Sequence, residues 1–203
     1  MIDELLRRIA AFHRSRPVVP EYPMAAEVLD ALDGVRIPKG IEAVHLPVLR
    51  HLEGIELSGQ PAIDAVLEEF LRIAKQLPWQ HTAGYLDVLP QDYLDNFGYV
   101  QLLGPGSIVE HPFVRVGIGL WGPHLHYPSH HHEAEELYHV LAGEPVFSSG
   151  DGRRGRPARA TPFTTRRGSP TPRTSARPRP FSCIAGPGPS SATPSWWAAT
   201  ERV

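Results

Sequence analysis

The chain has 203 residues, 41% of them hydrophobic, and a formal net charge of −2, which fits one ordinary soluble domain with an appendage and is too short for two large ones. Nothing in that balance calls for a nucleic acid or a membrane surface as partner. The opening MIDELLRRIAAFHRSRP has acids at positions 3 and 4 and no uninterrupted apolar core, so it reads as neither a signal peptide nor a membrane span, and the cytoplasm is the expected location.

The averages hide a change along the chain. All eleven His lie before position 150, among mixed charges and apolar residues at helix or strand spacing. From Arg153 onward stand ten of the twenty basic residues, all Arg, with one acid, Glu201, and many Pro, Ser and Thr. No helical or two-residue hydrophobic period survives there. The lone Cys183 has no internal disulfide partner and constrains the redox compartment only weakly. The expected division is a helical region at 1–95 packing on a barrel, the first half of that barrel at 96–150, and a disordered, low-complexity Arg/Pro-rich tail at 151–203.

Ile2, Leu5, Leu6, Ile9 and Phe12 recur at spacings of three and four, which predicts an N-terminal helix with Asp3 and Glu4 suited to its first turn. A second helix is predicted over 25–32, ended by Gly34, and a third over about 61–77, with Pro61 in its first turn. None carries a convergent set of titratable groups, so all three read as scaffold. After a loop at 90–96, short apolar or alternating runs predict strands over 97–103, 114–121 and 136–143. Short strands after a helical preface predict a small β-barrel with helices packed outside, a mainly β, α+β fold.

The chemistry lies between the last two strands, in Tyr127-Pro-Ser-His130-His-His132-Glu-Ala-Glu-Glu136-Leu-Tyr138. Residues two apart on an extended chain share a face, so His130 and His132 can point together while His131 points away, and Glu136 and Tyr138 share a face on the returning strand. Two imidazoles, a carboxylate and a phenol can therefore converge. Two His with one carboxylate and open positions suit a divalent first-row ion, with Zn, Fe, Mn, Co and Ni all admissible. An exposed His-rich turn is the plainer alternative. Against it stands the order His-x-His, three residues, Glu, six residues, Gly143, preceded by Gly119 or Gly122.

That spacing resembles the first cupin motif along its whole length. Narrower still, Val114-Arg-Val-Gly-Ile-Gly-Leu-Trp-Gly-Pro followed by the segment from Tyr127 to Gly143 resembles the dimethylsulfoniopropionate (DMSP) lyase cupins, as do Gly84-Tyr-Leu-Asp87 and Leu103-Gly-Pro-Gly106. The resemblance covers roughly residues 60–150. It implies a metal-dependent lyase that splits DMSP into dimethyl sulfide and acrylate, with His130, His132 and Glu136 as metal ligands, Tyr138 as the metal-side base and Tyr127 as a second pocket tyrosine. It also implies a small carboxylate substrate rather than a nucleic acid or membrane partner, with a homodimer as one admissible assembly. His124, His126, His131 and His139 are expected at the surface or behind the ligands. Two alternatives stay open: another cupin enzyme on a small carboxylate, such as an isomerase, dioxygenase or decarboxylase, and a non-enzymatic cupin sensor.

Such a barrel needs a second motif resembling Pro-Gly-Asp, a few residues, then His, and no His follows His139. The genetic code offers an explanation. Joining the last base of each codon to the first two of the next, Ala160 to Arg166 permits G-D-A-V-H-H-P, Arg167 to Pro172 permits P-W-Q-P-H-A, and Phe181 to Gly188 permits L-L-L-Y-R-W-A-G. The permitted string resembles the missing motif and its following strand. The expectation is a one-base deletion in the coding sequence, or an equivalent sequencing error, between about Ser148 and Arg159, with the rest translated out of frame. The alternative is a genuine disordered basic tail that contacts nucleic acid or acidic surfaces.

Overall fold

A computed structural model describes residues 2–15, 24–36, 38, 40–82, 84, 86–125, 135–143, 147–148, 154–155, 163–165 and 195–202; for 24–27, 135–138 and the segments beyond 146 it describes the backbone. The first helix, α1 (Ile2–Arg14), buries Ile2, Leu5, Leu6, Ile9 and Phe12, all at most 3% exposed. On its other face Arg7 meets Asp3 at 2.9 Å and Arg8 meets Glu4 at 2.6 Å, pairs at the four-residue spacing that brings side chains together on a helix surface. Arg14 reaches Asp33, just past the end of α2 (Met24–Leu32), and so ties the two helix ends together.

The third helix, α3 (Pro61–Ile73), starts where Asp64 Oδ1 accepts the backbone N–H and the hydroxyl of Ser58, each at 2.7 Å, which holds the entering chain in place of a side-chain cap at Gln60. Ile63, Val66, Leu67, Phe70 and Ile73 form its buried stripe. Beyond it a short 3₁₀ turn, Ala74–Gln76, ends the helical run, and the Trp79 indole donates to the Ala74 carbonyl at 2.7 Å. That bond satisfies an acceptor the helix end leaves open. The predicted third helix thus spans both pieces. Two helices were not predicted: a 3₁₀ helix, Pro47–Gly54, and the short α4 (Gln91–Asp95), which lies in the expected loop.

Strands β1 (Phe97–Leu103) and β2 (Val114–Trp121) fall where alternation predicted them, and pair antiparallel from Phe97↔Trp121 to Leu103↔Val116 with a bulge after Gln101. Strand β3 (Glu135–Ala142) starts one residue earlier than predicted. Four further strands are β4 (Phe147–Ser148), β5 (Arg154–Gly155), β6 (Phe163–Thr165) and β7 (Ser195–Arg202), three of them in the stretch beyond 150. The main sheet has the order β1-β2-β7-β3-β6, and β4 pairs with β5 in a separate ribbon. Because β7 is antiparallel to both β2 and β3, those two run in the same direction. Among the described residues the sheet is open, a partial barrel flanked by helices.

Helix α1 covers one face of that sheet, while Tyr93 of α4 packs on Phe97 of β1 with ring centroids 5.5 Å apart. Phe12 and His13 of α1 pack edge-on against His139 of β3, with ring centroids 4.9 and 5.1 Å away. Gly98 of β1 lies so close under Leu46, Val48 and Trp79 that an added Cβ would come within 2.9 Å of Leu46.

Candidate active site

Register fixes which residues share the other face. Directly paired residues lie on one side of a sheet and neighbours along a strand alternate. Ile118 pairs with Ala198, which pairs with His139, so that row belongs to the face against α1. The adjacent rows, Arg115–Glu201–Glu136 and Gly117–Ala199–Tyr138, lie on the opposite face. Through Gln101↔Gly117, Tyr99↔Gly119 and Phe97↔Trp121, that face also takes in the buried Gln101, Tyr99, Phe97 and Trp121. Glu136 and Tyr138 thus share one face, opposite the face packed against α1, in rows where β7 contributes Glu201 and Ala199 and, one strand further, β2 contributes Arg115 and Gly117. The residues paired directly with position 138 are Ala199 of β7 and Phe163 of β6.

Tyr127, His130 and His132 lie outside the described residues, as do His126 and His131. Among the described residues no three His, Cys, Asp or Glu side chains gather closely enough to hold an ion. The donor set of two imidazoles and one carboxylate nonetheless fits a first-row dication, and the placement of position 136 beside 138 is consistent with that set. His139 is not at the surface: it is 2% exposed and on the opposite face from Glu136 and Tyr138.

One polar cluster at the root of the histidine-rich segment was not predicted. Asn96 Oδ1 accepts the Arg50 guanidinium at 2.7 Å and His51 Nε2 at 3.0 Å, while Asn96 Nδ2 donates to the Asp92 carbonyl at 2.8 Å. Since an amide oxygen only accepts, His51 carries its proton on Nε2. Partial burial holds the His51 pKa below the ordinary histidine value, and the Arg50 charge adds to this against the opposing bond to Asn96. The Asn96 carbonyl accepts the Gly122 N–H at 2.7 Å. Sequence offered one signal here, Gly122, noted only as a candidate motif glycine.

The fold defined by these elements is shared with solved lyases. The crystal structure of DMSP lyase DddQ from Ruegeria pomeroyi DSS-3 superposes with a TM-score of 0.74 at 21% identity, covering 100% of this chain and 91% of that one. A chain from the crystal structures of the DMSP lyases RdDddP and RnDddQII gives 0.73 at 22% identity, covering 100% and 92%. In sequence, dimethylsulfoniopropionate lyase DddQ of Ruegeria pomeroyi strain DSS-3 is 26% identical over 145 residues, 71% of this chain and 68% of that protein.

The dimethylsulfoniopropionate lyase family matches residues 27–181, most of the chain, and the chain belongs to that family of carbon–sulfur lyases. The match extends beyond 60–150 at both ends and enters the Arg/Pro-rich stretch. No helix of the described residues is long and apolar enough to cross a membrane.

Proposed function

We propose that the site built around β3 cleaves dimethylsulfoniopropionate to dimethyl sulfide and acrylate, with His130, His132 and Glu136 holding a divalent first-row metal ion. Tyr138 takes the proton on the carbon α to the carboxylate, the Cα–Cβ double bond forms, and the Cβ–S bond breaks with its electron pair leaving on sulfur as neutral dimethyl sulfide. A free phenol, with a pKa near ~10, is a poor base at neutral pH. When bound, the dication supplies positive charge against the substrate carboxylate and favours the phenolate of a neighbouring tyrosine. Tyr127 supplies a second phenol to the pocket. The observation that carries this reading is the common face of Glu136 and Tyr138, opposite the side packed against α1.

The same reading divides the chain at about 95 and 150 and takes the stretch beyond as out of frame. No histidine follows His139, so the last ligand expected of a second motif is missing, and metal binding and turnover are weakened accordingly. The codon arithmetic that restores Gly-Asp, paired His and a later Pro-His supports this. A cytoplasmic location and a homodimer complete the reading.

Headspace measurement of dimethyl sulfide tests it, using this chain and the frame-restored protein, each with added metals or chelator, alongside unrelated small carboxylates. The expected result is metal-dependent release from the restored protein and little from this chain. Release confined to other substrates favours a different cupin enzyme, and binding without turnover a sensor. Sequencing the gene tests the frame: an early stop, or no His codons in the shifted frame, overturns that part.

A further inference from the structure

We propose that Asn96, His51 and Gly122 form a positioning clamp that sets the direction in which the histidine-rich segment leaves β2, so that His130 and His132 are delivered towards Glu136. The proposal rests on the reading of those three residues as metal ligands. Asn96 immediately precedes β1 and Gly122 immediately follows β2, so they stand opposite each other beyond the Phe97↔Trp121 pair. The 2.7 Å bond from the Gly122 N–H to the Asn96 carbonyl adds one more rung to the hairpin at the point where the segment departs.

Position 122 tolerates nothing larger than glycine. A Cβ there would lie 2.5 Å from Asn96 Oδ1, 2.8 Å from His51 Nε2 and 3.1 Å from Asn96 Cβ. Gly122 is not among the glycines with positive φ, so close approach and not backbone conformation demands it. Nor can its neighbours move aside cheaply: Asn96 Oδ1 is held by Arg50 and His51 from the 3₁₀ helix, and Asn96 Nδ2 by the Asp92 carbonyl of α4. The exit continues under constraint. His124 adopts φ 59°, a left-handed bend unusual for a residue with a side chain, and Leu125 packs on the hydrophobic core. The clamp, the bend and the core contact together fix the chain just ahead of Tyr127 and His130. Residues that orient ligands from behind contribute to metal affinity without touching the ion.

The test uses the full chain with Co²⁺ alone as probe, reading affinity from the cobalt absorption bands and amide exchange over 123–134. G122A and N96A are expected to weaken Co²⁺ binding by about ten- to a hundredfold and to speed exchange over 123–134, with α1 and α3 exchanging as in the parent. H51Q, which keeps an N–H within reach of Asn96, is expected to stay near the parent while H51A follows N96A, a rescue that general loss of packing would not give. If G122A fails to fold, the H51Q and H51A pair decides. Parent-like affinity and exchange in both N96A and H51A overturn the clamp. The double variant H130A/H132A isolates the ligand assignment: if it binds Co²⁺ as the parent does, that assignment fails, whereas a parent that binds none reflects the missing last ligand. Exchange over 123–134 then decides the clamp alone, faster rates upholding it and unchanged rates overturning it.

Discussion

His51 links the pH dependence of folding to the root of the histidine-rich segment. Its folded pKa lies below that of an unfolded histidine, chiefly because it is partly buried, and the unfolded value is about 6.5. The unfolded chain therefore binds more protons in the interval between the two values, and stability rises with pH there. Its contribution is fully present above about pH 6.5 and is lost as pH falls through the folded pKa. Chemical denaturation of the parent and H51Q across that interval should show a shallower pH dependence for H51Q; identical slopes would exclude His51 as a source. At Tyr138 the expectation is chemical. In the frame-restored protein Y138F should lower dimethyl sulfide release by roughly 10²- to 10⁴-fold, the usual worth of a positioned base, while Co²⁺ binding stays within a few-fold. Loss of metal together with activity would recast Tyr138 as a ligand.

At the scale of elements, legibility followed locality. The bounds of β1 and β2 could be read because Phe97-Gly-Tyr-Val-Gln-Leu-Leu is a short apolar run and Val114-Arg-Val-Gly-Ile-Gly-Leu-Trp alternates in size. The helix α1 was equally legible, since its buried residues are those of the 3-and-4 pattern. The Pro47–Gly54 helix and α4 were missed because eight and five residues carry too little of a period, and neither has a side-chain N-cap. The Asn96 cluster joins residues 45 and 46 positions apart, a separation that no local pattern encodes. The spacing of Glu136 and Tyr138 was readable, but the rows they belong to came only from register with β7. For α3 the packing argument gives a number: Phe70 is fully buried, with Trp79 6.0 Å away. F70A should cost about 3–5 kcal/mol, read from the urea midpoint at constant slope, and a cost below about 1 kcal/mol would mean that the site collapses freely.

At the scale of the whole molecule, the division of the chain makes an opposed pair of expectations. If the residues beyond about 150 are out of frame, β7 occupies the sheet between β2 and β3 with a sequence never selected to do so. Its Trp196-Trp197 codons, read one base earlier at the junction, must give Val, and the next junction with Ala198 must give Gly, whatever the synonymous choices, because tryptophan has a single codon. The restored protein should then melt cooperatively at a higher temperature than this chain and bind a dication tightly, since one more ligand and a closed barrel both favour the folded form. Chelation should lower its melting temperature, by the linkage that makes metal affinity part of folding free energy, and leave this chain nearly unmoved. Differential scanning calorimetry of both proteins, with and without chelator, reads all of this in one experiment. Should the parent chain melt as high as the restored one and respond as strongly to chelator, the tail is a working part of the protein and the frame argument falls. The ligands beyond Glu136 would then have to be sought among residues already present.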